Sequence, residues 1–391
     1  MFRALLPIVA ALSLGLFVPN GNGATLTVTT STIPGLTART PITTHKIRLS
    51  GPIEEGDASK LRTILERLRK DSPPVSGRPL ATLELSSAGG DVFEGFKIGY
   101  LLREFNVATI VRARDLCLSS CALAFLGGTA SHFGPDFTPS RSIEIGGQVG
   151  FHNFSLNPDS DALSTPRDAQ DGMVRGFAVA RGGTAALVRY AASMGIDTSF
   201  VALVLGRPAD QWTYVDSDRA FVMLDACPIG LGLPPISPPA IAANICNHAT
   251  GWFQPASPSQ ARAVSTQESK KHLLGHIRDN VSAFSVRGPL VAQLQAVIDS
   301  RDSLLVDSVY DDLRNAGIAL PEQFGTGYEV AGYSIAELDV QCHVSFRRDS
   351  PDRFGVVLIG AKQLMKSLRQ PPAACPGLFF YDQDDILNPR R

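Results

Sequence analysis

The sequence has no excess charge of either sign. Lysine and arginine number 36 against 37 aspartate and glutamate, a net charge of −1. That balance gives no electrostatic reason to expect nucleic acid or an anionic surface as partner. Charged residues are also few, 19% against 44% hydrophobic, which excludes a disordered chain and indicates a globular one. A membrane-length apolar run is missing at the N-terminus. Ala4 to Val18 spans about 15 residues, short of the roughly 20 that a membrane span requires. No Cys-x2-Cys and no nearby histidine pair complete a four-ligand set around Cys117 and Cys121, so the cysteine pattern offers no zinc site and no metal is expected. No internal repeat is visible, and the last third of the chain carries no recognisable chemical motif.

The N-terminal features point to export. Arg3 precedes the apolar run, and Pro19 to Ala24 supplies a turn and small residues for cleavage, so residues 1–24 read as a signal peptide. The competing reading is an uncleaved anchor. No cysteine follows the run directly, which argues against a lipid-anchored form. Export makes the even set Cys117, Cys121, Cys227, Cys246, Cys342 and Cys375 candidates for disulfides. Sequence order suggests Cys227 with Cys246 and Cys342 with Cys375, leaving Cys117 for Cys121. The expected location is the periplasm or the exterior, with no membrane span after cleavage.

At 391 residues the chain is long for one core, at roughly 100–200 residues per domain. Strands are predicted at 45–49, 81–85 and 108–111, and helices at 57–68, with Asp57 or Ser59 as cap, 92–105 and 116–126. This alternation is the pattern of βαβ units on a parallel sheet. Residues 127–142 read as irregular, 143–151 as strand, 168–194 and 200–205 as helix, and 220–224 as strand. Proline and alanine crowd 228–260, so 231–260 reads as a linker. Beyond it, one long helix at 289–316 and strands at 333–346 and 355–359 suggest a small α+β module over 261–391.

The segment Cys117-Leu-Ser-Ser-Cys-Ala-Leu-Ala-Phe-Leu-Gly-Gly128 carries the most chemistry. It places a serine at the start of a buried helix, where unpaired N–H groups and the positive dipole end gather. The Gly89-Gly90 turn precedes it, and a turn without side chains lets bare backbone approach a substrate. His152 follows it. A serine hydroxyl needs a base to take its proton, a carboxylate to orient that base, and N–H donors for the oxyanion. Ser119 and Ser120 are the candidate nucleophiles; a plain helix-capping serine is the competing reading. His152 is the candidate base, with His132 behind it.

Residues 45–230 resemble the Clp protease proteolytic subunit and its exported relatives with a crotonase-like fold. Leu49-Ser-Gly-Pro-Ile53 looks like the family's opening strand and turn. Leu85-Ser-Ser-Ala-Gly-Gly-Asp-Val92 looks like its Asn-Ser-Pro-Gly-Gly-Ser-Val turn. Cys117-Leu-Ser-Ser-Cys-Ala122 is similar to a variant of its nucleophile turn, and Gly150-Phe-His152 to its Met-Ile-His segment. The resemblance implies an α/β, crotonase-like ββα-superhelix domain followed by a smaller α+β domain. It implies a serine peptidase-like hydrolase with Ser119 as nucleophile, His152 as base and Asp210 as orienting acid, with Asp216 next in line. Gly90 or Gly89, with Ser120 N–H, would form the oxyanion hole. Peptide or protein is the implied substrate, no cofactor is required, and a homo-oligomer is expected by analogy.

The departures are specific. Ala88 stands where the family has proline, the interval from serine to histidine is long, and no segment for engaging an unfoldase is recognisable. Residues 250–391 have no counterpart in that family. A catalytically silent scaffold of the cell envelope is the alternative function, and an acyl-coenzyme A enzyme is disfavoured by export.

Overall fold

The computed structural model describes residues 23–33, 42–72, 78–131, 137–153, 169–208, 210–284, 289–335, 337–360, 364–365 and 367–390. Residues 1–22 of the expected signal peptide and His132 lie outside them. The chain divides into two units, Met1–Leu231 with Ile386–Arg391, and Gly232–Asp385. Its class is mixed α/β with several sheets.

The first unit begins with β1 (Thr25–Ile33), β2 (Ile42–Ser50), α1 (Asp57–Asp71), β3 (Ala81–Ser86), α2 (Val92–Phe105) and β4 (Val107–Val111). It continues with β5 (Leu116–Leu118), α3 (Ser120–Phe125), β6 (Thr129–Ser131), β7 (Phe137–Pro139), β8 (Arg141–Glu144) and β9 (Gln148–His152). Then come α4 (Ala169–Ser193), α5 (Thr198–Leu205), β10 (Trp212–Tyr214), α6 (Asp218–Met223) and β11 (Ala226–Ile229).

Six strands form one sheet in the order β1-β2-β3-β4-β8-β11. β1 pairs antiparallel with β2, and the pairs from β2 to β11 are all parallel. β4 is buried along its whole length, as expected for a short apolar run covered on both faces. α1 buries Leu61, Leu65 and Leu68 at helical spacing. A second, three-stranded sheet joins β5, β9 and β10 and positions the candidate site.

Two interior tethers hold the frame. Arg141 at the start of β8 is buried and donates to the carbonyls of Leu224 and Met194. Burial lowers its pKa to about 10, so it remains charged at neutral pH. Near the end of the sequence, Asn388 accepts from Gly146 N–H at 2.7 Å and donates to Gly147 O at 2.6 Å. The N–H groups of Leu387 and Asn388 both donate to Asp216 O.

The second unit contains α7 (Pro238–Ala249), β12 (Ala261–Val264), α8 (Thr266–Asp279), α9 (Pro289–Asp299) and α10 (Ser303–Asn315). β13 (Thr326–Ile335), β14 (Leu338–Arg347), β15 (Ser350–Ile359) and β16 (Leu364–Met365) follow. β12 to β16 form an antiparallel sheet in sequence order. Leu273, Leu274 and Ile277 of α8 pack in a core with Val306 and Tyr310 of α10 and Val357 of β15.

Several local expectations change. The region read as linker contains α7, whose Ile241 to Ala249 are buried, because apolar residues follow the two prolines that start it. Leu116–Leu118 is strand rather than helix, held by pairing with β9. Residues 218–223 are helix rather than strand, since Ser217 caps them by accepting from Ala220 N–H. The single helix expected at 289–316 is two, because Asp302 accepts from Leu304 and Leu305 N–H and starts a new one. The cap expected at Asp57 falls to Gly56; Asp57 lies inside the helix and accepts from Ala24 N–H and Glu54 N–H.

All six cysteines are disulfide-bonded, which fits an oxidising compartment. Cys117 bonds Cys121. The expected pairs Cys227–Cys246 and Cys342–Cys375 do not form, because Cys246 of α7 bonds Cys342 of β14. Proximity in sequence ignored the packing of α7 on β14. Among the described residues, no helix is long and apolar enough to cross a membrane.

Candidate active site

The glycine turn is shaped by two close approaches. Beyond β3, Ser87 N–H donates to Leu116 O and Leu118 N–H donates to Ser87 O, so the strand end is stitched to β5. Gly89 has φ 105° and Gly90 φ 147°, both in the region that favours glycine. A Cβ on Gly89 would stand 2.7 Å from Ser119 Cβ, and one on Gly90 2.1 Å from Ile53 O. No side chain fits at either place. Asp91 then caps α2 by accepting from Glu94 N–H at 2.9 Å.

Ser119 sits between β5 and α3 with φ 56° and ψ −121°, a sparsely populated conformation for a residue with a Cβ. Its N–H donates to Gly150 O at 2.9 Å. The Cys117–Cys121 bond spans the turn on both sides of it. Its side chain makes no helix-capping bond, which removes the plain capping reading. Instead Ser119 Oγ lies 2.8 Å from His152 Nε2. The register explains this meeting. β5 runs parallel to β9 with Leu118 opposite Gly150, and His152 is the last residue of β9.

The other sequence candidates separate clearly. Ser120 is fully buried, and its hydroxyl has no hydrogen-bond partner among the described residues. α2 seals it in, because a Cβ on Gly95 would stand 2.5 Å from Ser120 O. Gly89 N–H donates to Ser87 Oγ at 3.1 Å. Gly90 N–H and Ser120 N–H are then the two candidate donors that no described group takes up. Asp210 is exposed and does not bond His152. Asp216 instead pairs with Arg390 at 3.2 Å. Among the described residues no carboxylate reaches His152 Nδ1.

Sequence reasoning missed the residue that does stand at His152. Trp212 lies opposite it in the β9–β10 register, with the ring centroids 4.6 Å apart. Its place beside His152 could not be read without that register. No family model matches this chain, and no curated protein matches it. The geometry alone therefore carries the argument.

Ser119 and His152 open into a cavity of about 270 Å³. Its walls are apolar, with Leu123 and Leu126 beyond the serine, Phe151 beside the histidine, and Phe200, Val201 and Val204 from α5. A charged network fixes the loop leading into β5. Arg48 donates to both Asp115 carboxylate oxygens at 2.9 Å, and Ser86 Oγ donates to Asp115 Oδ1 at 2.9 Å. Burial pushes the Asp115 carboxyl up, but the bonds from Arg48 and Ser86 outweigh it and hold the group below the usual range. Arg112 ties Glu84 to Glu144 alongside. The arrangement brings together a hydroxyl presented by a braced loop, an imidazole at proton-transfer distance from the end of β9, two N–H donors and an apolar recess.

Proposed function

We propose that the chain is an exported, periplasmic serine hydrolase of the Clp-protease and crotonase-like type, acting on peptide or ester bonds. The observation that carries this reading is the 2.8 Å contact between Ser119 Oγ and His152 Nε2. In the mechanism, His152 takes the Ser119 proton as the hydroxyl attacks a carbonyl carbon. The oxyanion forms within reach of Gly90 N–H and Ser120 N–H, where fixed donors stabilise developing charge. His152 then returns the proton to the leaving group, and water completes the cycle by the same path. Trp212 takes part of the orienting role that a carboxylate plays in a triad, by fixing the ring through packing. The parallel strands β2 to β4 and the Gly-Gly turn support the crotonase-like assignment.

A fluorophosphonate probe tests the reading. Purified protein should be labelled at Ser119, and Ser119→Ala should abolish labelling. A folded wild type that resists the probe would overturn it. That no carboxylate among the described residues reaches His152 Nδ1 favours one alternative, a catalytically silent peptide-binding scaffold, and that reading is the one left standing by absent labelling.

A further inference from the structure

The second unit gathers three side chains that the proposed hydrolysis does not use. Glu329 on β13 and His343 on β14 are direct cross-strand partners. His272 on α8 meets them, with Nδ1 2.7 Å from Glu329 Oε1. His343 Nδ1 lies 3.9 Å from the same oxygen. One donor atom from each of the three lies within 4.8 Å of the others.

We propose that His272, Glu329 and His343 bind a single divalent transition-metal ion of the zinc class. Two imidazoles and a carboxylate are a borderline donor set suited to that class. Zinc bonds to these donors are about 2.0–2.2 Å long, so ligands on a tetrahedron stand ~3.3 Å apart. The separations of 2.7 Å and 3.9 Å bracket that spacing, and small side-chain rotations close the difference.

A salt bridge alone does not account for His343. It is 1% exposed, and neither ring nitrogen has a hydrogen-bond partner among the described residues. Leaving a buried polar group unpaired costs about 1–3 kcal/mol, and a metal bond removes that cost. Glu329 is oriented from behind, since Arg262 donates to its Oε2 and leaves Oε1 facing the histidines. Such outer partners commonly position a ligating carboxylate. His272 and Glu329 also line a surface cavity of about 500 Å³ together with His276. That open side leaves a fourth position for water or an external ligand.

Tag-free full-length protein, stripped with a chelator, should take up one Zn²⁺ per chain in a calorimetric titration. Co²⁺ should give the visible absorption of a four-coordinate site. His272→Ala and Glu329→Gln should each weaken Zn²⁺ binding beyond the roughly 10–100-fold that outer partners contribute, and should erase the Co²⁺ spectrum. His272 is half-exposed, so its removal leaves the core closed and folding can be checked by circular dichroism. His276→Ala should retain uptake. Absence of uptake by the wild type, or equal affinity in His272→Ala and Glu329→Gln, would overturn the site.

Discussion

Ser119 holds φ 56° and ψ −121° although it is not glycine. Conformations of this kind cost on the order of 1–3 kcal/mol and persist where the surroundings impose them. Here the Ser119 N–H bond to Gly150 O and the adjoining disulfide impose it. Two substitutions separate the strain from the chemistry. Ser119→Ala keeps the Cβ and the strain, while Ser119→Gly removes both, so the glycine variant should be more stable by about 1 kcal/mol. Urea midpoints measure this, and an alanine variant as stable as the glycine variant would remove strain from the account. At this scale much was legible in sequence. The Gly-Gly turn, the serine and the histidine each sit at a strand end, after β3, after β5 and at the end of β9, and the local sequence around each shows that without their pairing. Trp212 was not legible, because its place depends on a pairing between distant strands.

The loop from β4 to β5 is the element that presents Ser119, and Asp115 is its anchor. Its carboxyl is held below the unfolded value near 3.9. The stabilisation is therefore fully present above about pH 4 and is lost as pH falls through the lower folded value. Asp115→Asn should cost about 1–2 kcal/mol at neutral pH, and the gap from wild type should narrow on acidification. Denaturation measured from pH 7 down to pH 2 checks this; a constant gap would contradict the anchoring role. Strands and helices from residue 42 to 111 followed their periodicity closely, whereas β1 lies in a stretch where no strand was predicted. The errors fell where a cap or a partner overrode it, at Ser217, at Asp302 and at the β5–β9 pairing.

Across the whole molecule, the disulfides differ greatly in reach. Cys117 and Cys121 are 4 residues apart, whereas Cys246 and Cys342 are 96 apart. Loop-closure entropy assigns about 2 kcal/mol to the short bond and about 4–5 kcal/mol to the long one. The paired variant Cys246→Ala with Cys342→Ala should therefore lose more stability than Cys117→Ala with Cys121→Ala. Guanidinium midpoints give the order, and the reverse order would contradict it. Labelling by the probe should show the opposite ranking, since only the short bond clasps the candidate nucleophile. Neither the long bond nor the His272, Glu329 and His343 cluster could be read from sequence, because both depend on contacts between elements far apart in the chain. The same separation acts on biogenesis. Asn388 bonds Gly147 across 241 residues, with all of the second unit between them. At translation speeds of about 5–20 residues per second, the loop waits roughly 10–50 s for its partner to be synthesised. The first unit to emerge from the ribosome is thus the last to be finished.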